Sequence, residues 1–519
     1  MAHPDPVPLF TTLRIGRGRY RVRTRQSLQE FRPWHSARPV RRPRLTCEPL
    51  ETRDIPSVTT DFAFGLAGPT GAARAVRSLS DTAGNGCAIG TFTGTVDFDP
   101  SANTSTLTAF TNPNDSSRDT TFVAKYDPDG NFQWAQRAGG GQVADAAVDA
   151  DGSVYLVGNF SGTHTFGSTP LTAAGYEDAF VAKVDGTGAV AWAVQAGGTS
   201  GGSEDAGRGL AIDGQGNVFI SGSFGVAATF GTLPPVTSGT AWPAGFAARI
   251  NPTDGTFVWA KATRFLAGSG QTGVSPDGIG VDGDGRVTIS GGYYGSFDFD
   301  PGAGTTTLTS AKRAGGYASS DIFLWQLGAA DGAFRWARTI GGNGRDGGGD
   351  LSVDAAGNIY SIGGFEGNQD FDPGKGRYTL SGGGRYLLKL SAAGNFIWAR
   401  GGAGVAVGEQ IALDATGIYM TGTLSGTADF DPGPGAASRT SAGGTDAYVL
   451  KLDTNGNYVW VVTAGGAGDD RGVSVAVDGS GNVWAVGGFT GTADFDPGAG
   501  ELLLSAPTTG SFVWKLAQP

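Results

Sequence analysis

"VSVAVDGSGNVWAVGGFTGTADFDPG", residues 473–498, holds two short alternating apolar segments around Asp-Gly-Ser-Gly-Asn, then a Phe between two aspartates, then Pro-Gly. Alternation over four to eight residues bounded by Gly, Asn, Asp and Pro is a strand signal. The Asp that closes the first segment returns as Asp81, Asp149, Asp213, Asp282, Asp354, Asp414 and Asp478. A second ladder runs in phase with it: Trp134, Trp192, Trp259, Trp336, Trp398 and Trp460, preceded by Phe64 of "DFAFGLAG". A third segment, "DAFVAKVD" (178–185) or "DAYVLKLD" (446–453), comes before the Trp segment. Turns such as "DPDGN" (127–131) and "DTNGN" (453–457) join the two, and these suit hairpins that need positive φ.

Each copy therefore reads as four strands, and no stretch of the body has a helical period. Seven copies of four antiparallel strands predict an all-β chain, a seven-bladed β-propeller in which stacking buries what one sheet cannot bury alone. The ends fit a closed ring. The chain finishes in a third strand, "SFVWKLAQP" (511–519), and begins with a fourth strand that has no blade of its own, "DFAFGLAG" (61–68). The N-terminal strand, residues 60–68, is expected to complete the last blade beside residues 511–517. Two regions result: a basic leader over 1–57, expected to be disordered or processed, and the propeller over 58–519.

Charge separates the same two regions. Residues 1–45 hold eleven Arg against Asp5 and Glu30, a net +9; the whole chain is −11, which leaves −11 − 9 = −20 for residues 46–519. So acidic a body repels phosphate backbones, which argues against nucleic acid as a partner. Ninety glycines without a Gly-X-Y period exclude collagen, and abundant Trp and Phe mark a core-forming chain. No apolar run approaches the roughly 20 residues that span a bilayer, so no transmembrane segment is expected. Two cysteines, Cys47 and Cys87, make neither a disulfide framework nor a zinc site.

Phe of the Asp-Phe-Asp string stands in all seven copies, as Phe98, Phe166, Phe230, Phe299, Phe371, Phe430 and Phe495. The flanking aspartates stand in five: Asp97 and Asp99, Asp298 and Asp300, Asp370 and Asp372, Asp429 and Asp431, Asp494 and Asp496. Neighbours on a strand point to opposite faces, so Phe should pack inward while both Asp share the other face. The second Asp suits position i of a type II turn with Pro at i+1 and Gly at i+2. The first Asp has no such role. Two carboxylates with turn carbonyls also resemble oxygen ligation of calcium, although no copy has the full EF-hand spacing. No cofactor is expected, with calcium at these aspartates the one exception.

Catalytic sets are sparse. His164 is the one histidine outside the leader (His3 and His35 lie within it), which removes Ser-His-Asp, Cys-His and His-based metal schemes. It reads as an exposed strand residue. No P-loop is present. Acids just ahead of the first strand, Asp205, Asp346, Glu409, Asp469 and Asp470, could ring a channel mouth, either as a solvated rim or as carboxylates for glycoside chemistry. Trp242, in the loop-like "SGTAWPAG" (238–245), is the candidate exposed aromatic.

The opening unit resembles the bacterial SBBP-type β-propeller repeat, whose pattern runs roughly G-I-A-V-D-x-x-G-N-V-Y-V-T-G. Copies at 142–160, 209–224, 278–294, 350–365 and 472–489 fit it. The copy at 405–424 lost a turn residue, and that at 73–92 carries Cys87 where an aromatic or apolar residue belongs. The resemblance implies an exported or surface-attached protein and supplies no catalytic residues. "RRPRLTCEPLETRDIPS" (41–57) is similar to the basic Leu-Glu-Pro-Leu-Glu-x-Arg leaders of some bacterial surface proteins, but lacks the apolar core of a Sec signal. The expected function is a non-enzymatic, monomeric scaffold at the cell surface or outside the cell, binding a protein or glycan through loops on one face. The alternatives are a calcium-stiffened structural module, an acidic-site polysaccharide hydrolase or lyase, and, for location, a free cytoplasmic propeller.

Overall fold

The computed structural model describes residues 11–15, 18–22, 48–49 and 58–518, apart from 67, 69–70, 111–119, 200–204, 240–241, 268–271, 313–318 and 403–407. Two compact units result: Met1–Ser57 with Pro519, and Val58–Gln518. In the first, Thr11–Ile15, Gly18–Val22 and Glu48–Pro49 pair antiparallel; the rest of the expected leader lies outside the described residues.

The body is all-β and antiparallel, with no helix among the described residues. Its strands fall into recurring four-stranded units. In the first unit Ala72–Ser80, Gly86–Thr93, Thr120–Tyr126 and Phe132–Gly140 pair in that order. The second (Gln142–Val148, Val154–Phe160, Asp178–Val184, Val190–Gly197), third (Ala206–Ile212, Val218–Phe224, Ala244–Ile250, Phe257–Ala262) and fourth (Gly273–Val281, Arg286–Tyr294, Asp321–Gly328, Phe334–Ile340) repeat it. So do the fifth (Gly347–Val353, Ile359–Phe365, Gly384–Leu390, Phe396–Gly402) and sixth (Gln410–Leu413, Ile418–Asp429, Ser438–Leu452, Tyr458–Gly466). In the seventh, Arg471–Val477, Val483–Asp494 and Leu503–Ala517 are followed in the sheet by Thr59–Leu66, from the other end of the body. Each first strand packs on the first strand of the next unit, and Arg471–Val477 packs on Ala72–Ser80.

Side chains also bridge the seventh unit and the first. The Ser474 hydroxyl oxygen accepts from Ser78 N at 2.8 Å, and Ser511 Oγ donates to Ala73 O at 2.7 Å while accepting from Ala75 N at 2.9 Å. The equivalent bonds elsewhere run from Leu210 N to Asp145 (2.8 Å), Ile411 N to Asp350 (3.1 Å) and Val475 N to Gln410 (2.8 Å).

Packing between units explains the Trp ladder. The turn glycines Gly188, Gly255, Gly332, Gly394 and Gly456, all at positive φ, lie beneath Trp134, Trp192, Trp259, Trp336 and Trp398 of the preceding unit. A Cβ there would strike the indole, so glycine serves both the turn and the close approach. Indole N–H groups reach across as well: Trp134 donates to Gly186 O (3.2 Å), Trp192 to Pro252 O (3.1 Å) and Trp259 to Ala329 O (2.9 Å).

The register corrects one rung. Each ladder Trp pairs with the third-strand residue before a bulge, as Lys125 with Trp134 and Lys183 with Trp192. In the seventh unit the partner of Lys515 is Phe62, which also lies over Gly130. Phe62, rather than Phe64, is the Trp equivalent. The bulge between Thr60 and Phe62 stands where the other units have theirs, just ahead of the ladder Trp.

All seven phenylalanines of the Asp-Phe-Asp position are buried. Each rests on a third-strand aromatic, with ring centroids 4.8–5.2 Å apart, from Phe98 on Phe122 to Phe495 on Phe512. The second-strand glycine opposite, such as Gly222 facing Phe246, leaves room for that ring. His164 is also buried, edge-on to Phe160 at 6.2 Å. It stands on the hairpin Thr163–Phe166/Thr169–Thr172, where an outward position was expected.

Candidate functional site

The first Asp of each Asp-Phe-Asp copy has an architectural use after all. One carboxylate oxygen accepts from the N–H two residues on (2.9–3.1 Å) and from the N–H eight residues on (2.7–2.9 Å), in Asp97, Asp298, Asp370, Asp429 and Asp494 alike. It fastens the neck of an eight-residue loop. The second Asp, at 99, 300, 372, 431 and 496, accepts from the N–H two residues on at 2.7–2.9 Å. The expected type II turn is absent: Gly302, Gly374, Gly433 and Gly498 are not at positive φ. Those glycines sit instead under the Asp carboxylate, which a Cβ at Gly302 would approach to 3.0 Å. Among the described residues no three His, Cys, Asp or Glu side chains gather to hold a metal.

Asp298→Ala is the sharpest test, because Asp298 is fully buried and also takes Arg264 at 2.6 Å. Two backbone donors lose their acceptor, at roughly 1–3 kcal/mol, and Asp298→Asn, which keeps an oxygen, should cost less. With these oxygens engaged by the loop, melts in millimolar calcium and in EDTA should coincide; a calcium-raised melt with bound metal would assign the aspartates to ligation.

The acids expected at a channel mouth divide. Asp205, Asp346 and Asp470 are buried, one at each of three separate junctions. Asp205 accepts from Gly198 N (2.7 Å) and Gly225 N (2.8 Å), Asp346 from Gly342 N and Glu366 N (both 3.0 Å), and Asp470 from Gly466 N (2.8 Å) and Thr490 N (3.0 Å). Each ties the end of one unit to a loop of the next. Each also faces, in charge, an aspartate of a third strand: Asp178 and Asp321, which open theirs, and Asp446 within Ser438–Leu452. These three are buried, accept from Ala174 N, Ala311 N and Ala442 N through one oxygen, and leave the other oxygen without a donor. Burial pushes Asp205 up to about 6 and Asp321 up to about 7, and raises Asp178, Asp446 and Asp470. Glu409, Asp469 and Trp242 are exposed.

Sequence reading missed the charges on the first strands. Arg77 lies 2.5 Å from Asp145. Burial pushes Asp350 and Asp277 up to about 6, against the pull of Arg77 on one and Arg208 on the other. Bulges at Ala75/Arg77, Val143/Asp145, Gly207/Gly209, Pro276/Gly278 and Gly348/Leu351 carry them. The signal was present: a charged residue four or five places before the turn Asp, inside a strand otherwise built of small residues. Carboxyls titrating near 6 can hold or release a proton at neutral pH, but Asp350 already accepts from Leu351 N and Ile411 N.

One acid, Asp469, does enter a concave site. A groove of about 570 Å3 runs between the sixth, seventh and first units. Gly487, Gly488 and Gly510 line it together with Thr93, Thr423, Thr445, Thr490 and Thr509, and Arg74, Arg471 and Asp469 supply its charge. Arg74 and Arg471 are exposed, and among the described residues neither guanidinium has a hydrogen-bond or ion-pair partner. The Asp469 carboxylate is likewise without a partner among them. The groove offers donors of both guanidinium and hydroxyl type, one carboxylate acceptor, and a surface without projecting side chains.

No protein-family model matches the chain, and no curated protein matches it. Among solved structures, the chain is similar to a Dos1 propeller (8% identity, 89% of this chain and 96% of that one, TM-score 0.36). It is similar also to the polysaccharide lyase Uly1 (10%, 76% and 85%, 0.36) and to a europium-containing methanol dehydrogenase (10%, 90% and 95%, 0.36). At these values the likeness carries no argument about activity.

Proposed function

We propose that residues 58–519 form a seven-bladed β-propeller of the SBBP type, with Thr59–Leu66 as the fourth strand of the last blade, acting as a non-enzymatic scaffold exported to or displayed at the cell surface. The cyclic packing of first strands and the pairing of Thr59–Leu66 with Leu503–Ala517 support the architecture. The binding surface is the Arg74–Arg471 groove. The observation that carries this reading is the pair of guanidiniums without a partner among the described residues, in a concave, glycine-lined site, on a region 58–519 whose net charge is −18, since Glu48, Glu51, Asp54 and Arg53 account for −2 of the −20 of residues 46–519. A guanidinium matches a planar anion through two parallel N–H donors, which a ligand entering the groove can answer.

Gly488 permits a clean test. A Cβ there meets nothing closer than 3.7 Å, and its φ is one that any residue adopts. Gly488→Leu should therefore fill the groove and leave the fold intact. Full-length protein and this variant would be applied to one array of oligosaccharides and peptides, with melting curves in parallel. Ligands retained by the wild type and lost by an equally stable variant support the groove; identical binding profiles overturn it.

A further inference from the structure

We infer that the groove takes an acidic saccharide, a short chain of hexuronate units whose carboxylate lies between Arg74 and Arg471; this rests on the binding reading above and gives it a ligand class. Three features of the lining converge on that chemistry. Two unpaired guanidiniums call for an anion, and the planar fork of Arg matches a carboxylate through two parallel N–H donors. Asp469, in the same groove and itself unpaired, calls for hydroxyl donors on the same ligand. A carboxylate accepts from two neighbouring hydroxyls, and a ligand carrying both an acid and free hydroxyls satisfies both charges at once. The threonine hydroxyls of Thr93, Thr423 and Thr509 can donate or accept, as ring hydroxyls require. Gly488, where a Cβ would meet nothing closer than 3.7 Å, leaves a surface that a flat, hydroxylated ring can approach closely.

Other anions fit less well. A polyphosphate or nucleic acid carries dense charge that a region of net charge −18 repels, whereas uronate places one charge per ring. An acidic peptide needs apolar recesses for its other side chains, and Phe92, the one aromatic of the lining, is buried. A neutral sugar would leave both guanidiniums unanswered.

The test uses full-length protein titrated with a hexuronate trisaccharide, its methyl ester, a neutral trisaccharide of equal length, a sulfated trisaccharide and a Glu-rich tripeptide. The hexuronate should bind, and binding should weaken with added salt. Esterification, Arg471→Gln or Arg74→Gln should each weaken it by roughly tenfold to a hundredfold, the loss of a hydrogen-bonded charge, and Gly488→Leu should abolish it with an unchanged melt. Equal binding of ester and acid, preference for the neutral sugar, for sulfate or for the peptide, or no binding of the hexuronate overturns the inference. In those cases the binding reading survives if any array ligand still depends on Gly488, and falls with the inference if none does.

Discussion

Protein lacking residues 58–70 loses its cooperative melt or melts far below the full chain. Thr59–Leu66 is the outer strand of the seventh unit and, among the described residues, the one element that joins the start of the body to its end in one sheet. Leu66 is buried; Phe62 packs edge-on to Trp484 at 5.3 Å, and Phe64 lies 4.7 Å from Tyr126 of the first unit. Trp514 donates its indole N–H to Thr60 at 2.9 Å, Thr60 donates to Phe495 O, and Lys515 pairs with Asp61 at 3.0 Å. Removing three large apolar side chains costs about 5–9 kcal/mol at roughly 1.5–3 kcal/mol each, which is comparable with the whole stability of a domain. The deletion also exposes the ladder edge of Leu503–Ala517, a template for aggregation. A synthetic 58–70 peptide added in trans should restore part of the melt by strand addition. An unchanged melt of the truncated protein would show that the ring holds through its first strands alone.

Which residues disclosed the fold, and which concealed it, follows from where their constraint lies. Phe495 and its six counterparts were legible because inward packing is a property of one strand and its period, and the sequence repeats it in every copy. The first Asp of each pair was opaque because its second partner sits eight residues on, across a loop whose closure no local pattern encodes. Phe64 was taken for the Trp equivalent because Phe62 and Phe64 stand two apart on one strand and share a face, and only the pairing of Phe62 with Lys515 tells them apart. His164 looked exposed because a lone polar residue on a short hairpin is outward by default; its strand folds back beside Phe160. Asp205, Asp346 and Asp470 were seen as a group, yet their order along the chain hid that each belongs to a different junction. Arg74 and Arg471 are far apart in sequence and line one groove because Arg471–Val477 packs on Ala72–Ser80, a contact that no local pattern encodes.

Those junction acids give the second large effect, a stability maximum on the acid side of neutrality. Asp321, raised to about 7 by burial and by Asp346 opposite, binds a proton in the folded state that an unfolded aspartate, near 3.9, does not bind. Asp205, Asp277 and Asp350, near 6, do the same over a narrower range. For a carboxyl raised on folding, the folded state holds the extra proton between the two pKa values, so stability rises as pH falls through that window. Each such group contributes up to about 1.4 kcal/mol per pH unit inside it. The opposite sign takes over lower down. Asp81, where burial is outweighed by Lys125 at 2.8 Å and by Asn85, and Asp414, where burial is outweighed by Thr416 and Tyr419, are held below the usual range, and their stabilisation is lost as they protonate. The melting temperature should therefore climb from pH 8 toward pH 5 and fall below pH 4. Asp321→Asn separates the causes: its amide oxygen still accepts from Ala311 N, and the side chain stays neutral at every pH. The variant should melt higher than wild type at pH 8, match it near pH 5, and flatten the climb between them. A melting temperature that instead rises from pH 5 to pH 8 in the wild type would mean that these carboxyls are charged in the folded protein, and that a bound cation holds them.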